Sequence, residues 1–246
     1  MTWDGLSPPY ATIVADPPWP YDANPLGYQR SHGIRKFIPY SEMPVDHIKA
    51  MPVADLATPA AHLYLWTTQR FLWTARDVAD AWGFKVGPVL IWCKEPMGLG
   101  GGPAFTPTTE FALFCRARMG PLIKAAREIA GLGRGDLHRL LRDDKPTGIV
   151  YRWEEDACLP TPLDWAKLRS VLPSLAELPD LADNPRRTDT TWWKWKRGGH
   201  SAKPPAFIDL VERVSPFPYV ELFARQPRLG WDSWGRGFEH LGKVAP

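Results

Sequence analysis

Apolar residues follow two rhythms along this chain, and the points where one gives way to the other sketch an alternating order of strands and helices. Ala11 to Ala15 is a short apolar run, right for a buried strand and too short for a helix. It stops at Asp16-Pro17-Pro18, since a proline pair cannot continue a sheet ladder. HLYLWTT (62–68) is a second run of this kind. Between 70 and 84 the rhythm changes: Leu72, Ala75, Val78, Ala79 and Trp82 recur every three or four positions, which predicts a helix closed by Gly83. VGPVLIWCKE (86–95) and TEFALFCRAR (109–118) read as strands, separated by the glycine-rich MGLGGGPAFTP. Near the C-terminus KPPAFIDLVERVSP predicts a helix opened by prolines, and YVELFARQPRLGWDSWG a strand followed by a loop. The alternation predicts an α/β sheet with its working loops at strand ends.

Three stretches break this order. Residues 20–40 are polar and rich in Gly, Pro and Tyr, a loop long enough to serve as a lid, and short helical turns follow it at 45–51 and 53–56. From about residue 119 the buried-strand runs disappear. LIKAAREIAG and DLHRLLRD, joined by LGRG, form a helix-turn-helix pattern that could place its second helix, with Arg139, in a major groove. LPTPLDWAKLRSVLPSL adds another helix, with Thr161 or Asp164 as its cap. The α/β texture returns afterwards, so the expected organisation is a core made of 1–118 and 187–246, interrupted by a helical target-recognition module at 119–186. The third stretch is RRTDTTWWKWKRGGHSAK (186–203), where six basic residues and three tryptophans meet one acid. Cationic and aromatic side chains interleave in this way where nucleic acid is held by phosphate contacts and stacking, although a strand with one buried face gives the same alternation.

Composition narrows the function classes. The net charge of +3 is too mild to argue by itself for a polyanionic partner, so any basic surface is local. Cys93, Cys115 and Cys158 are far apart and form neither a CxxC nor a Cys/His pattern, which argues against a zinc site or a disulfide framework and for a reducing cytoplasm. No metal is expected. No apolar stretch reaches membrane-spanning length and the N-terminal residues do not resemble a signal peptide. Thirteen tryptophans are the unusual count, because they recur beside breakers and charges where a ring face can meet a flat ligand.

At the end of the first strand, Asp16 supplies a carboxylate acceptor, Pro17 a carbonyl on a restricted backbone, and Trp19 a broad ring. Such a cradle suits a flat ring bearing an amino group. The exocyclic amine of adenine is a poor nucleophile because its lone pair is delocalised, and two acceptors bonding its hydrogens favour the tetrahedral nitrogen that attack on a methyl group requires.

With these residues in view the chain resembles the MT-A70 family of S-adenosyl-L-methionine-dependent adenine-N6 methyltransferases, in particular phage and bacterial members acting on DNA. The matching segments are VADPPWPYD, IPYSEMPVDHIKAMPV, LYLWTT, WGFKVGPVLIWCKE, HSAKP and VELFARQPRLGWDSWG, in family order. The resemblance implies a Rossmann-like core in which the catalytic motif precedes the cofactor strand, a permuted order. It makes Asp16, Pro17, Pro18 and Trp19 the catalytic motif, and assigns Asp16, Lys203, Glu221, Phe223, Arg225 and Arg236 to the cofactor. Tyr40, Trp92, Lys94, Trp193, Lys196, Arg197 and Arg139 form the expected substrate set. One departure is WGRG at 234–237, where the family often has WGN and a polar residue, so Arg236 stands at a ribose-contacting position. The expected function is methylation of a flipped adenine in duplex DNA at a specific sequence, in the cytoplasm of a bacterial or phage-infected cell, with a homodimer left open. An RNA adenine methyltransferase and a catalytically silent nucleic-acid-binding subunit are the alternatives.

Overall fold

A computed structural model describes residues 3–21, 42–95, 105, 107–141, 146–181, 189–196, 202–224 and 227–235. Its centre is a seven-stranded sheet in the order β5-β3-β4-β2-β1-β6-β7. The strands are β1 (Tyr10–Ala15), β2 (Ala57–Thr67), β3 (Phe84–Glu95), β4 (Thr109–Ala117), β5 (Trp192–Lys196), β6 (Tyr219–Ala224) and β7 (Trp231–Gly235). β1 is central, pairing in parallel with β2 and β6, and every one of its residues is buried. Its uninterrupted apolar run is what a strand covered on both faces requires. All pairings are parallel except those of β4, which runs antiparallel to both β2 and β3.

Helices α1 (Val45–Lys49) and α2 (Leu72–Ala81) cover one face, burying Ile48, Ala75, Val78 and Ala79 in a core with Ile13, Ala15, Leu63 and Leu65. The predicted helix at 70–84 is therefore present, and Gly83 ends it at φ +80°. The opposite face is closed by a helix at Pro205–Val214, whose Phe207, Leu210 and Val211 pack on Val14, Tyr64 and Trp66. This mixed α/β architecture is consistent with a Rossmann-like methyltransferase fold. Among the described residues no helix is long and apolar enough to cross a membrane.

After β4 the chain forms α3 (Gly120–Ile129), α4 (Arg134–Leu141), α5 (Ile149–Glu154) and α6 (Pro162–Val171); the helix at Pro205–Val214 is α7. These four helices share a separate core built around Ile123, Leu137, Trp153, Trp165 and Leu168. Thr161 caps α6 in a reciprocal pair: its hydroxyl accepts from the Asp164 N–H at 3.2 Å, and the Asp164 carboxylate accepts from the Thr161 N–H at 2.8 Å. Glu154, buried in α5, is held by Arg127 at 2.5 Å and Arg134 at 2.6 Å. Gly120 lets the start of α3 lie against α5, because a Cβ there would meet the Glu154 carbonyl oxygen at 2.2 Å.

One element differs from the expectation, and another takes the half-buried-strand reading that the sequence had left open. The stretch after β6, read as a loop, contains β7, a short strand with Asp232 and Ser233 in its middle that lacks an apolar run. The basic aromatic stretch forms β5, with Trp193 and Trp195 stacked at 5.1 Å against the α7-side core and Trp192, Lys194 and Lys196 exposed.

Candidate functional site

Because β4 is reversed, its first residues meet the last residues of the parallel strands at one edge of the sheet. Asp16 directly follows β1, Glu110 is the second residue of β4, Lys94 the last but one of β3, and Lys203 lies two residues before α7. These residues form one charged array. The Lys203 ammonium lies 3.4 Å from the Asp16 carboxylate and 2.7 Å from one oxygen of Glu110, while Lys94 holds the other Glu110 oxygen at 2.5 Å. Lys203 also sits over the Trp66 ring, 4.6 Å from its centroid, and Lys94 lies 5.3 Å from that of Trp92. Burial alone would push the Glu110 carboxyl up, but the two lysines outweigh it and hold it below the usual carboxylate range.

The backbone of the motif is fixed by its own hydrogen bonds. The Trp19 N–H donates to the Pro17 carbonyl at 2.9 Å, and the Pro18 carbonyl accepts from the Met43 N–H at 2.8 Å. A carbonyl oxygen has two lone pairs, so the first bond aims the Pro17 oxygen without using it up. Trp19 itself is more enclosed than the sequence suggests. Its indole N–H donates to the Trp66 carbonyl at 3.0 Å and its ring stacks on Phe71 at 5.4 Å. Tyr21 packs edge-on against Phe71 at 5.1 Å and donates to the Thr68 hydroxyl at 3.3 Å.

On the other side of β1, Glu221 lies in β6 and pairs with Arg228 at 2.6 Å. Burial pushes its carboxyl upward, and Arg228 only partly opposes that. Phe223, two residues on, has φ 62°, a left-handed conformation that costs energy for a side chain of this size, and it coincides with a register shift between β6 and β7. The edge thus offers carboxylates at Asp16 and Glu221 and an ammonium at Lys203, a donor set that fits a zwitterionic ligand bearing hydroxyl groups. Trp66 adds a buried indole N–H with no hydrogen-bond partner among the described residues.

Of the expected site residues, the structure gathers Asp16, Pro17, Pro18, Trp19, Lys94, Lys203, Glu221 and Phe223 at or beside this edge. Trp92 belongs to the core instead: it is fully buried and its indole N–H donates to the Trp195 carbonyl at 3.0 Å. Trp193 faces inward, so Trp192 is the exposed ring of β5, beside Lys194 and Lys196. Arg139 is on α4, paired with Asp136, in the helical unit that follows the far end of β4. Seven residue steps from Glu110 to Ala117 put that end about 24 Å from the charged array. Tyr40, Arg197, Arg225 and Arg236 lie outside the described residues, as do most of the expected lid and of the glycine-rich loop after β3. Glu110 was missed by sequence reasoning. The available signal was an acid inside an apolar strand, because buried carboxylates are rare unless paired.

Comparison with known proteins places this geometry in a family context. Residues 10–98 match the MT-A70 family model. The type II methyltransferase M.MunI of Mycoplasma sp is 22% identical over 240 residues, covering 92% of this chain and 76% of that protein. The human N(6)-adenine-specific methyltransferase METTL4 is 25% identical over 240 residues, 94% of this chain and 39% of its own length. An N(6)-adenosine-methyltransferase MT-A70-like protein of Drosophila melanogaster is 31% identical over 85 residues, 35% of this chain and 12% of its own.

Proposed function

The chain belongs to the MT-A70 family of methyltransferases, and from that premise we propose that it methylates the N6 amine of adenine in DNA, with S-adenosyl-L-methionine as donor. The observation that carries the reading is the array at the tip of β1, where Asp16, Lys203 and Glu110 converge beside the aimed carbonyl of Pro17. The two alignments of 240 residues, to an adenine-specific enzyme and to a type II methyltransferase, favour DNA over RNA; the adenosine methyltransferase aligns over only 85.

In this reading the Lys203 ammonium binds the carboxylate of the donor's methionine portion, and the Glu221 carboxylate accepts from ribose hydroxyls. The donor, when bound, supplies an electrophilic methyl group on sulfonium. The Asp16 carboxylate and the second lone pair of the Pro17 carbonyl accept the two amine hydrogens of a base flipped out of the duplex, which turns the nitrogen lone pair out of conjugation. The bond from nitrogen to methyl forms as the bond from methyl to sulfur breaks, and the surplus proton leaves the nitrogen to water. The exposed row Trp192, Lys194 and Lys196 holds the substrate backbone. A target-recognition role for α4 fits only if the duplex runs the length of β4, so that it reads base pairs about seven steps from the flipped adenine.

The test is incubation of the protein with methyl-labelled S-adenosyl-L-methionine and, separately, duplex DNA, single-stranded DNA and RNA, followed by nucleoside analysis. Label in N6-methyldeoxyadenosine from duplex DNA is expected, and label confined to RNA would overturn the substrate assignment. Asp16→Ala should lower turnover by about 10²-fold or more, as losing one preorganised partner of the reacting atoms does. Lys203 keeps Glu110 in that variant, so the circular dichroism spectrum should stay unchanged. Turnover near wild type would remove Asp16 from the chemistry.

A further inference from the structure

At the end of the sheet away from the charged array, one cation has been taken partly out of water with no acid among the described residues to balance it. Arg116, near the end of β4, is half-buried, and among the described residues no carboxylate pairs with it. Its guanidinium lies 5.8 Å from the Phe114 ring centroid, and burial pulls its pKa down. Charges withdrawn from water are ordinarily paired, because their lost hydration is otherwise uncompensated.

Arg116 also lines two cavities of about 270 Å³ each, where the helical unit meets the sheet. The first is walled by Pro59, Leu159, Pro160 and Pro216, with Arg116 and His62 among its polar groups and no acid among the described residues that line it. His62 is the register partner of Arg116 across the β2–β4 pair, and its ring is held by the Ser215 hydroxyl at 2.8 Å and edge-on by Phe114 at 4.9 Å. Ala60, in the wall, has φ 58°, within the irregular stretch where β2 loses register with β1. Strained backbone of this kind is often found where a structure shapes a ligand site. Among the described residues the only acid lining the second cavity, Asp156, is committed to the N–H groups of Met119 and Gly120, at 2.9 Å and 2.7 Å.

We propose that the first cavity binds a small organic acid, one carboxylate on a compact apolar body. The planar guanidinium of Arg116 takes the carboxylate through two parallel N–H donors, and the proline and leucine walls take the body. One uncompensated cation suits a single negative charge, and apolar walls disfavour a heavily hydrated polyanion. Ligand sites commonly form at such seams between packed units. A ligand here touches both the helical unit and the sheet, so it joins them.

The experiment is calorimetric titration of the full chain with benzoate and with benzamide, its neutral counterpart of nearly the same shape. Saturable benzoate binding is expected, tighter than benzamide by about tenfold or more, as a charge-assisted pair implies. Arg116→Gln should abolish benzoate binding while leaving the unliganded melting temperature close to wild type. Absence of saturable benzoate binding, equal binding of acid and amide, or undiminished benzoate binding by a folded Arg116→Gln protein would each overturn the proposal. If that variant does not fold, the comparison of acid with amide on the wild-type chain decides the matter. Methyl-transfer activity is not the readout, so the outcome stands apart from the reading of the Asp16 edge.

Discussion

Replacing Glu110 by glutamine tests whether the charged array is held together as the geometry implies. The side chains of Glu110, Lys203 and Lys94 are 6%, 12% and 19% exposed, so the two pairs are poorly screened. Glutamine keeps the volume and one acceptor oxygen but turns an amide N–H₂ toward a lysine, leaving one ammonium facing a donor. Removing one partner of a buried pair costs about 3–5 kcal/mol. Lys203 keeps Asp16 and the Trp66 ring, which puts the expected loss near the lower end, about 3 kcal/mol. For a chain of this size that corresponds to a fall of roughly 6–12 °C in melting temperature. The assay is thermal and urea unfolding across pH. Since the folded carboxyl lies below its ordinary value of 4.5, its contribution is complete above that value and is lost as pH falls through the depressed folded value. The gap between wild type and Glu110→Gln should therefore be constant at neutral pH and close on acidification below 4.5. A fall of less than about 2 °C at pH 7, the scale of an exposed ion pair, would refute the reasoning.

Three further outcomes follow from the same structure. Lys194→Glu with Lys196→Glu should weaken duplex binding in fluorescence anisotropy and reduce the slope of log affinity against log salt by about 2, one unit for each lost phosphate contact; an unchanged slope would remove β5 from the interface. Gly120→Ala forces a Cβ to within 2.2 Å of a backbone oxygen and should destabilise the helical unit by about 1–3 kcal/mol, read by urea unfolding and faster proteolysis between residues 120 and 175. The Glu221 carboxyl is raised above 4.5, so its contribution is present below that value and is lost as pH rises through the folded value; Glu221→Gln should remove this dependence from a stability-versus-pH curve.

The sequence revealed elements wherever burial was one-sided or complete. The apolar run of β1 and the three-four spacing of α2 and α7 leave no competing assignment, because only one period places those side chains in a core. β7 was hidden because WDSWG puts two polar residues in a strand buried at Asp232 and Ser233. β5 was ambiguous because an alternation of Trp and Lys describes a half-buried strand as well as a nucleic-acid grip. Asp16 and Lys203 were legible as residues of one motif set, but Glu110 was not, since its meaning depends on β4 running backwards to meet them. For the same reason the distance of Arg139 from the site could not be read from motif order. Trp19 was legible as a ring beside an acid, while its enclosure by Phe71 depends on a side chain 52 positions away in the sequence.

The reversed direction of β4 has a consequence for how this chain can vary. The helical unit leaves the sheet at Ala117, at the end remote from Asp16, and the chain rejoins it at Trp192 on the outermost strand, level with Ile91 and Phe111 but separated from β1 by β3, β4 and β2. Lengthening, shortening or exchanging the helices between these two anchor points need not disturb the groups at the tip of β1. The polarity of one strand thus sets the departure point for new surfaces apart from the chemistry by the height of the sheet, while the return point is set apart by the breadth of three strands.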